Sequence, residues 1–381
     1  MSELLSPDRA IEKLLAAMSQ TDASDLHLKV GYAPYYRVAG VLRKVDMPPL
    51  PDTDYIEEMM RTLVPEKRRH EYEEHGDLDF SAKGDGGERY RINVFRCTAE
   101  MHAAVRRVES KIPSFDDLNL PDIYGKLVLQ SVEGLVLVSG VTGSGKSSTL
   151  AAMVQHVNAH RSMHIITIED PIEFVFHPQK SIVSQREIGI DIPDYHEALR
   201  YVVRQDPDCI FIGEMRDRET MQAAIQAAET GHLVFGSLHV SDAQQTFNRI
   251  LEFFPRGEHG FIRSSLANSL TAICCQRLLP GIKEGSRYPA TEVLLNNSVV
   301  KDKIIHEEDQ DVPAVIAQST EEGMRSFTLS LKELIENEKV HFDTAMDYAP
   351  SREALESAVK GIKTQAQSLV GRVRGSGRSG G

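Results

Sequence analysis

Residues 140–147 read GVTGSGKS, which fits the pattern G-x-x-x-x-G-K-[ST]. Glycines at those spacings let the backbone curl into a nest of N–H groups that face phosphate. Lys146 brings a compact positive charge and Ser147 a hydroxyl suited to Mg²⁺. Such a loop works only between a strand and a helix, and the flanking residues supply both. LVLVS precedes it, and Leu150, Met153, Val154 and Val157 follow at i, i+3, i+4 and i+7, a helical stripe. The bare pattern turns up in roughly one or two of a hundred chains this long at average residue frequencies, so the flanks carry the inference. The nucleotide-binding set is therefore Gly140, Val141, Thr142, Gly143, Ser144, Gly145, Lys146, Ser147 and Ser148, with the positive end of a helix dipole beneath the phosphates.

From residue 123 onward strand-like and helix-like segments alternate: GLVLVSG, SSTLAAMVQHVNAH, HIITIED, DYHEALRYVVRQ, CIFIGE, ETMQAAIQAAETG and LVFGSL. That order predicts an α/β fold with a mostly parallel sheet covered by helices. Asp194 with Glu197 fits a capping box, and Gly231 a helix stop. HIITIED ends in Glu169 and Asp170, carboxylates at the sheet edge where such folds bind ligands, and Pro171 turns the chain there. CIFIGE ends in Glu214. In many phosphate-loop ATPases this strand ends in Asp-Glu, the aspartate helping to hold Mg²⁺ and the glutamate polarising the attacking water. Here Gly213 stands in the aspartate's place, so Glu214 is read as the water-activating group and metal organisation passes to Ser147, Glu169 and Asp170. A competing reading pairs Glu214 with Arg216 or Arg218. His232 precedes a strand and His239 ends it. Their odd separation puts them on opposite faces, which argues against a shared metal and makes His239 the better γ-phosphate sensor.

Ahead of this lies a segment of different character. Ser6 and Pro7 suit a helix start, and Ile11, Leu14, Leu15 and Met18 share one face. Strand-like pieces follow, interrupted by a helical stretch near 53–74, which predicts a mixed α+β domain over 1–110. Arg91, Arg96 and Arg106 lie on its strands. ESKIPSFDDLNLP supplies a linker over 111–122, the nucleotide-binding core runs over 123–290, and 291–365 reads as helical. The end, 366–381, is a basic Gly/Ser-rich tail expected to be disordered.

A length of 381 residues suits two domains. A formal charge of −13 argues against a nucleic-acid partner. The four cysteines form no C-x-x-C pair, so neither a zinc ribbon nor a disulfide framework is indicated, and a reducing compartment fits. No signal peptide and no stretch long enough to span a bilayer is visible, which points to the cytoplasm.

Several segments together resemble one family: SDLHLKVGYAPYYRVAGVLRKV, RYRINVFR, GVTGSGKSSTLAAMV, ITIEDPIEF, RQDPDCIFIGEMRDRETMQAAIQAAETGHLVFGSLH and CQRLLP. In this order they are similar to the secretion ATPases of type IV pilus and type II secretion machines, and among them to the PilT/PilU family of pilus retraction ATPases. The resemblance covers most of residues 20–280. It implies a PAS-like N-terminal domain, a RecA-like ATPase domain, and a homohexameric ring with ATP between domains and subunits. It also implies an acidic box at Glu169, Asp170 and Glu173, Glu214 as general base, a histidine box at His232 and His239, and arginines Arg91, Arg96 and Arg106 that reach the nucleotide. Gly before that glutamate is the family's own pattern. The implied partners are a polytopic inner-membrane platform protein, through which the ring docks peripherally on the membrane, and a paralogous retraction ATPase. The absence of a tetracysteine motif and of an extra N-terminal domain fits retraction types rather than assembly types. The stretch VVKDKIIHEEDQDVPAVIAQ departs from PilT endings, and STEEGMRSFTLSLKELIENEKVHFDTAM is closer to PilU. The alternatives are thus an accessory PilU-like ATPase, a type II secretion or conjugation ATPase, and a low-turnover ATP-binding regulator, the last disfavoured by complete catalytic boxes.

Overall fold

The computed structural model describes residues 5–84, 87–108 and 111–361; the whole C-terminal tail predicted over 366–381 and residues 362–365 of the helical region lie outside them. Contacts divide the described chain into two units. The first draws on Met1–Ile112 together with Glu169–His177 and Gln185–Tyr195, and the second on Pro113–Ile168, Pro178–Ser184 and the chain from His196 onward.

The first unit begins with α1 (Pro7–Gln20), entered through extended Ser6 and with Pro at its first position. Its predicted stripe is inward: Ala10, Ile11, Leu14, Leu15 and Met18 are buried. Strands β1 (Ala23–Leu28), β2 (Tyr35–Val38) and β3 (Val41–Lys44) follow, the last two joined through Ala39 and Gly40, both at positive φ. Two positive-φ residues make the tight turn whose twist suits a hairpin. Helices α2 (Thr53–Arg61), capped by Asp52, and α3 (Arg69–His75), closed by left-handed Gly76, lead to β4 (Asp77–Lys83), β5 (Arg89–Cys97) and β6 (Glu100–Arg107). The six strands form one antiparallel sheet in the order β3-β2-β1-β6-β5-β4. Tyr36 and Tyr90 bury their rings and donate their hydroxyls to the Leu14 and Leu15 carbonyls at 2.6 and 3.0 Å, which ties α1 to this core.

The second unit is built on a seven-stranded sheet. In chain order come α4 (Ile123–Gln130), β7 (Gly134–Ser139), α5 (Lys146–His160), β8 (His164–Glu169), β9 (Ile182–Glu187), α6 (Tyr195–Val202), β10 (Cys209–Ile212), α7 (Arg218–Glu229) and β11 (Leu233–Leu238). After these come α8 (Ala243–Glu252), α9 (His259–Ser269), β12 (Leu270–Pro280) and β13 (Arg287–Leu295). The strand order is β13-β12-β7-β11-β10-β8-β9, with β12, β7, β11, β10 and β8 parallel and β13 antiparallel to β12. Strands β7, β10 and β11 are buried along their whole length, as parallel strands covered on both faces must be. The phosphate-loop strand β7 lies between β12 and β11. Helix α7 ends as predicted at Gly231, which takes φ +94°.

Short helices α10 (Ser298–Ile305), α11 (Val312–Gln318), α12 (Phe327–Glu336), α13 (Phe342–Tyr348) and α14 (Arg352–Val359) complete the second unit. Residue 290, taken from sequence as the end of the core, falls inside β13. The buried side chain of Arg263 on α9 clasps Asp309 through two hydrogen bonds, 2.8 and 2.6 Å, and donates to the Ile304 carbonyl at 3.1 Å, fastening α10 to α9. Among the described residues no helix is long and apolar enough to cross a membrane.

Candidate active site

Parallel strands end at one edge, so the residues that follow them are neighbours in strand order. The loop Gly140–Gly145 leaves β7, His239 leaves β11, Glu214 leaves β10, and Glu169 is the last residue of β8.

The loop is tightly built. Gly143 and Gly145 take φ +79° and +90°, and a Cβ on Gly140 would come within 2.4 Å of the Ser144 hydroxyl and 2.6 Å of the Gln276 carbonyl. Lys146, buried at the start of α5, donates to the carbonyls of Gly140 and Val141 at 2.9 and 3.2 Å, so its charge lies against the loop it serves. Ser147 and Ser148 are the next two residues of α5. A cavity of about 310 Å³ adjoins this loop, lined among others by Leu118, Leu120, Ser148, Leu278, Arg287 and Pro289.

Glu214 is held from both sides. The Gly213 carbonyl accepts from the Ser237 hydroxyl at 2.6 Å, the Gly213 N–H donates to Ile168, and the Met215 N–H donates to Ser237. The side chain then meets two partners. Arg216 donates to one carboxylate oxygen at 2.6 Å, and His239 Nε2 lies 3.2 Å from the other. Burial alone would raise the Glu214 carboxyl. The Arg216 hydrogen bond, with His239 and Lys146 nearby, overcomes this and holds it below the usual carboxylate range. His239 is pushed down, first by burial and then by the Lys146 charge. It is therefore neutral at pH 7, with Nε2–H donating to Glu214 and Nδ1 accepting from the Thr142 hydroxyl at 3.4 Å. Thr142, His239 and Glu214 thus form one hydrogen-bonded chain from the phosphate loop to the carboxylate. Glu214 thus pairs with Arg216, as the competing sequence reading has it, and is also linked to the loop through His239.

The other expected residues fall elsewhere. His232 sits at the opposite end of β11, about 20 Å away along the strand, with Nδ1 at 2.9 Å from the Ala227 carbonyl where α7 ends. The structure therefore brings His239, and not His232, to Glu214. Three strand spacings, about 14 Å, separate β8 from β7. Glu169 is buried and accepts from Gln185 at 3.0 Å, while Asp170 and Glu173 are exposed. No cluster of three or more metal-type side chains occurs among the described residues. In the first unit Arg106 donates to Asp25 at 2.8 Å, Arg91 lies 3.8 Å from Asp79, and Arg96 stacks over the Tyr72 ring. Arg89, not singled out from sequence, binds buried Glu187, which also accepts from the Ile172 N–H within the acidic segment. Sequence reasoning also missed Ser237 and Gln276; both are buried polar residues among mainly apolar strand neighbours, the one signal that could have found them.

Glycine loop, helix and a carboxylate tied to that loop through a neutral histidine define the class, a P-loop ATPase. The chain belongs to the type II/IV secretion system protein family, whose sequence model matches residues 5–322. It is 38% identical to the type IV pilus retraction ATPase PilT of Pseudomonas aeruginosa over 339 residues, 89% of this chain and 98% of that protein. It is 36% identical to the type IV pilus ATPase PilU of the same organism over 365 residues, covering 96% and 95%. A crystal structure described as the pilus retraction motor PilT with bound ADP superposes with a TM-score of 0.84 at 40% identity, over 91% of this chain and 98% of that one.

Proposed function

We propose that the chain hydrolyses ATP as a ring-forming motor that powers type IV pilus retraction and twitching motility. The observation that carries the catalytic part is the Thr142–His239–Glu214 chain, which joins the phosphate loop to a carboxylate at the next-but-one strand. Lys146 releases its loop carbonyls to take the β- and γ-phosphates. The nucleoside has room in the cavity beside the loop. Glu214 uses two of its roughly four lone-pair positions on Arg216 and His239, leaving others for water. Its lowered pKa makes it a weak proton acceptor in the ground state, which suits orienting water in a loose phosphoryl transfer more than deprotonating it beforehand.

Mg²⁺ takes hard oxygen ligands and keeps several waters, and the Ser147 hydroxyl beside Lys146 is a donor of that kind that would hold it; when bound, the ion would neutralise phosphate charge. Arg91, Arg96 and Arg106, and beside them Arg89, are the sources of further positive charge in a homohexamer. The antiparallel sheet of the first unit supports the PAS-like reading, and the second unit the RecA-like one. The ring acts in the cytoplasm on the inner face of the membrane, docked on a platform protein, and needs no nucleic acid.

The experiment is deletion of the gene followed by counting surface pili and measuring twitching. Accumulated, immobile pili fit the retraction reading, and loss of pili contradicts it. Retraction that persists through a paralogue would make this chain an accessory motor.

A further inference from the structure

We infer that Gln276, on β12, is a positioning residue that sets the orientation of the Ser144–Gly145 peptide and so aims the Gly145 N–H into the phosphate site; the inference rests on the nucleotide-binding reading above.

Strand β12 runs parallel to β7 with Cys275 opposite Ser139, which brings Gln276 level with the start of the phosphate loop. Its side chain is buried, 2% exposed, and both ends of its carboxamide are used. Nε2 donates to the Ser144 carbonyl at 2.6 Å, and Oε1 accepts from the Thr149 hydroxyl at 2.9 Å. A carboxamide can be placed either way round. Turned over, it would put its oxygen against the Ser144 carbonyl, acceptor against acceptor, whereas the Thr149 hydroxyl can donate or accept; the Ser144 carbonyl therefore selects the orientation in which nitrogen faces the loop, and Thr149 anchors the other end of the carboxamide.

The consequence follows from peptide geometry. In a planar trans peptide the C=O and the following N–H point in opposite directions. Anchoring the Ser144 carbonyl on Gln276 therefore turns the Gly145 N–H away from β12. This is one of the donors that such a loop offers to phosphate. The surroundings allow little slack. A Cβ on Gly145 would lie 3.0 Å from Gln276 Nε2, and one on Gly140 would lie 2.6 Å from the Gln276 carbonyl. One residue thus packs against both ends of the loop, and its side chain links the loop to Thr149 on the first turns of α5.

A residue that only filled space would stabilise the fold and leave anion affinity alone, so the readout is binding of inorganic pyrophosphate, which reports the phosphate site without the nucleoside. The full chain is compared with Gln276→Glu and Gln276→Leu by calorimetry, with ADP as a second probe and melting temperature recorded without ligand. Gln276→Glu keeps shape and the acceptor for Thr149 but sets an oxygen against the Ser144 carbonyl. We expect Kd for pyrophosphate and for ADP to rise about tenfold in both variants, the size of one buried hydrogen bond. A folded Gln276→Glu chain that binds pyrophosphate within twofold of the unsubstituted chain overturns the inference. Should neither variant fold, Thr149→Val, which removes the carboxamide's second anchor, is judged on the same twofold limit. If the unsubstituted chain binds neither probe, the nucleotide-binding reading itself has failed, a result distinct from equal binding by all chains.

Discussion

At the scale of single residues, the site depends on which groups carry protons. His239 serves Glu214 and Thr142 as a neutral ring, and its pKa lies below the ordinary histidine value of about 6.5 because of burial and Lys146. Protonation would convert Nδ1 from acceptor to donor, reversing the sense of the Thr142 bond, and would set a positive charge between the loop and Glu214. ATP turnover should therefore stay level from pH 8 to 7 and fall on the acid side of about 6.5. His239→Asn should lower kcat roughly tenfold to a hundredfold and flatten that acid limb. A pH–rate profile of the two chains checks both statements; an unchanged acid limb in His239→Asn would assign the titration to another group. Glu292, on β13, behaves in the opposite way to Glu214. It accepts the Ala243 N–H at 2.9 Å where α8 begins, and burial raises its pKa to about 7. Its folded pKa lies above its unfolded one, so the stability linked to its proton is fully present below about 4.5 and is lost as pH rises through about 7. Glu292→Gln, which keeps an acceptor for Ala243, should raise stability at pH 8 by up to about 3 kcal/mol, and the gain should vanish near pH 4.5. Denaturant melts at the two pH values measure it.

At the scale of elements, a buried ion pair helps to fasten the helices after β13 to α9. Arg263 and Asp309 are both nearly inaccessible, at 8% and 9% side-chain exposure. Removing one partner leaves a buried charge unmatched, so Arg263→Ala should cost about 3–5 kcal/mol, whereas Arg263→Met with Asp309→Leu should recover most of that, as read from urea midpoints. Legibility in sequence follows a related division between repeating pattern and single polar residues. Strands β7, β8, β10 and β11 and helices α5 and α7 were visible because buried parallel strands are continuous apolar runs and the helices carry periodic faces. Strands β12 and β13 were not, because Gln276, Arg277 and Glu292 interrupt them for reasons that lie across the sheet: a loop to hold, a carbonyl of Tyr348 to bind, a helix start to cap. Strand β9 reads as polar, since Ser184, Gln185 and Arg186 sit among its few apolar residues. In the site, the loop and Glu214 were legible from local pattern. The separation of His232 from His239 and the pairing of Glu214 with Arg216 were also within reach of the sequence, whereas the bond from His239 to Glu214 and the part of Ser237 depend on strand order and register, which a one-dimensional pattern does not contain.

At the scale of the whole molecule, the four cysteines are free thiols; Cys97 is exposed, while Cys209, Cys274 and Cys275 are buried with thiols pushed up by burial. A thiol reagent should label one site per native chain and four after unfolding, and a second rapid site would mean that one of the buried strands opens. The larger claim is that two units built around different sheets convert ATP hydrolysis into work, and it turns on Glu214. Steady-state hydrolysis by the full chain and by Glu214→Gln, with ATP affinity measured in parallel, tests it most directly. The expected result is a loss of turnover of about 10²–10⁴-fold with ATP affinity changed by less than about threefold. Equal turnover in the two chains, both binding ATP, would contradict it.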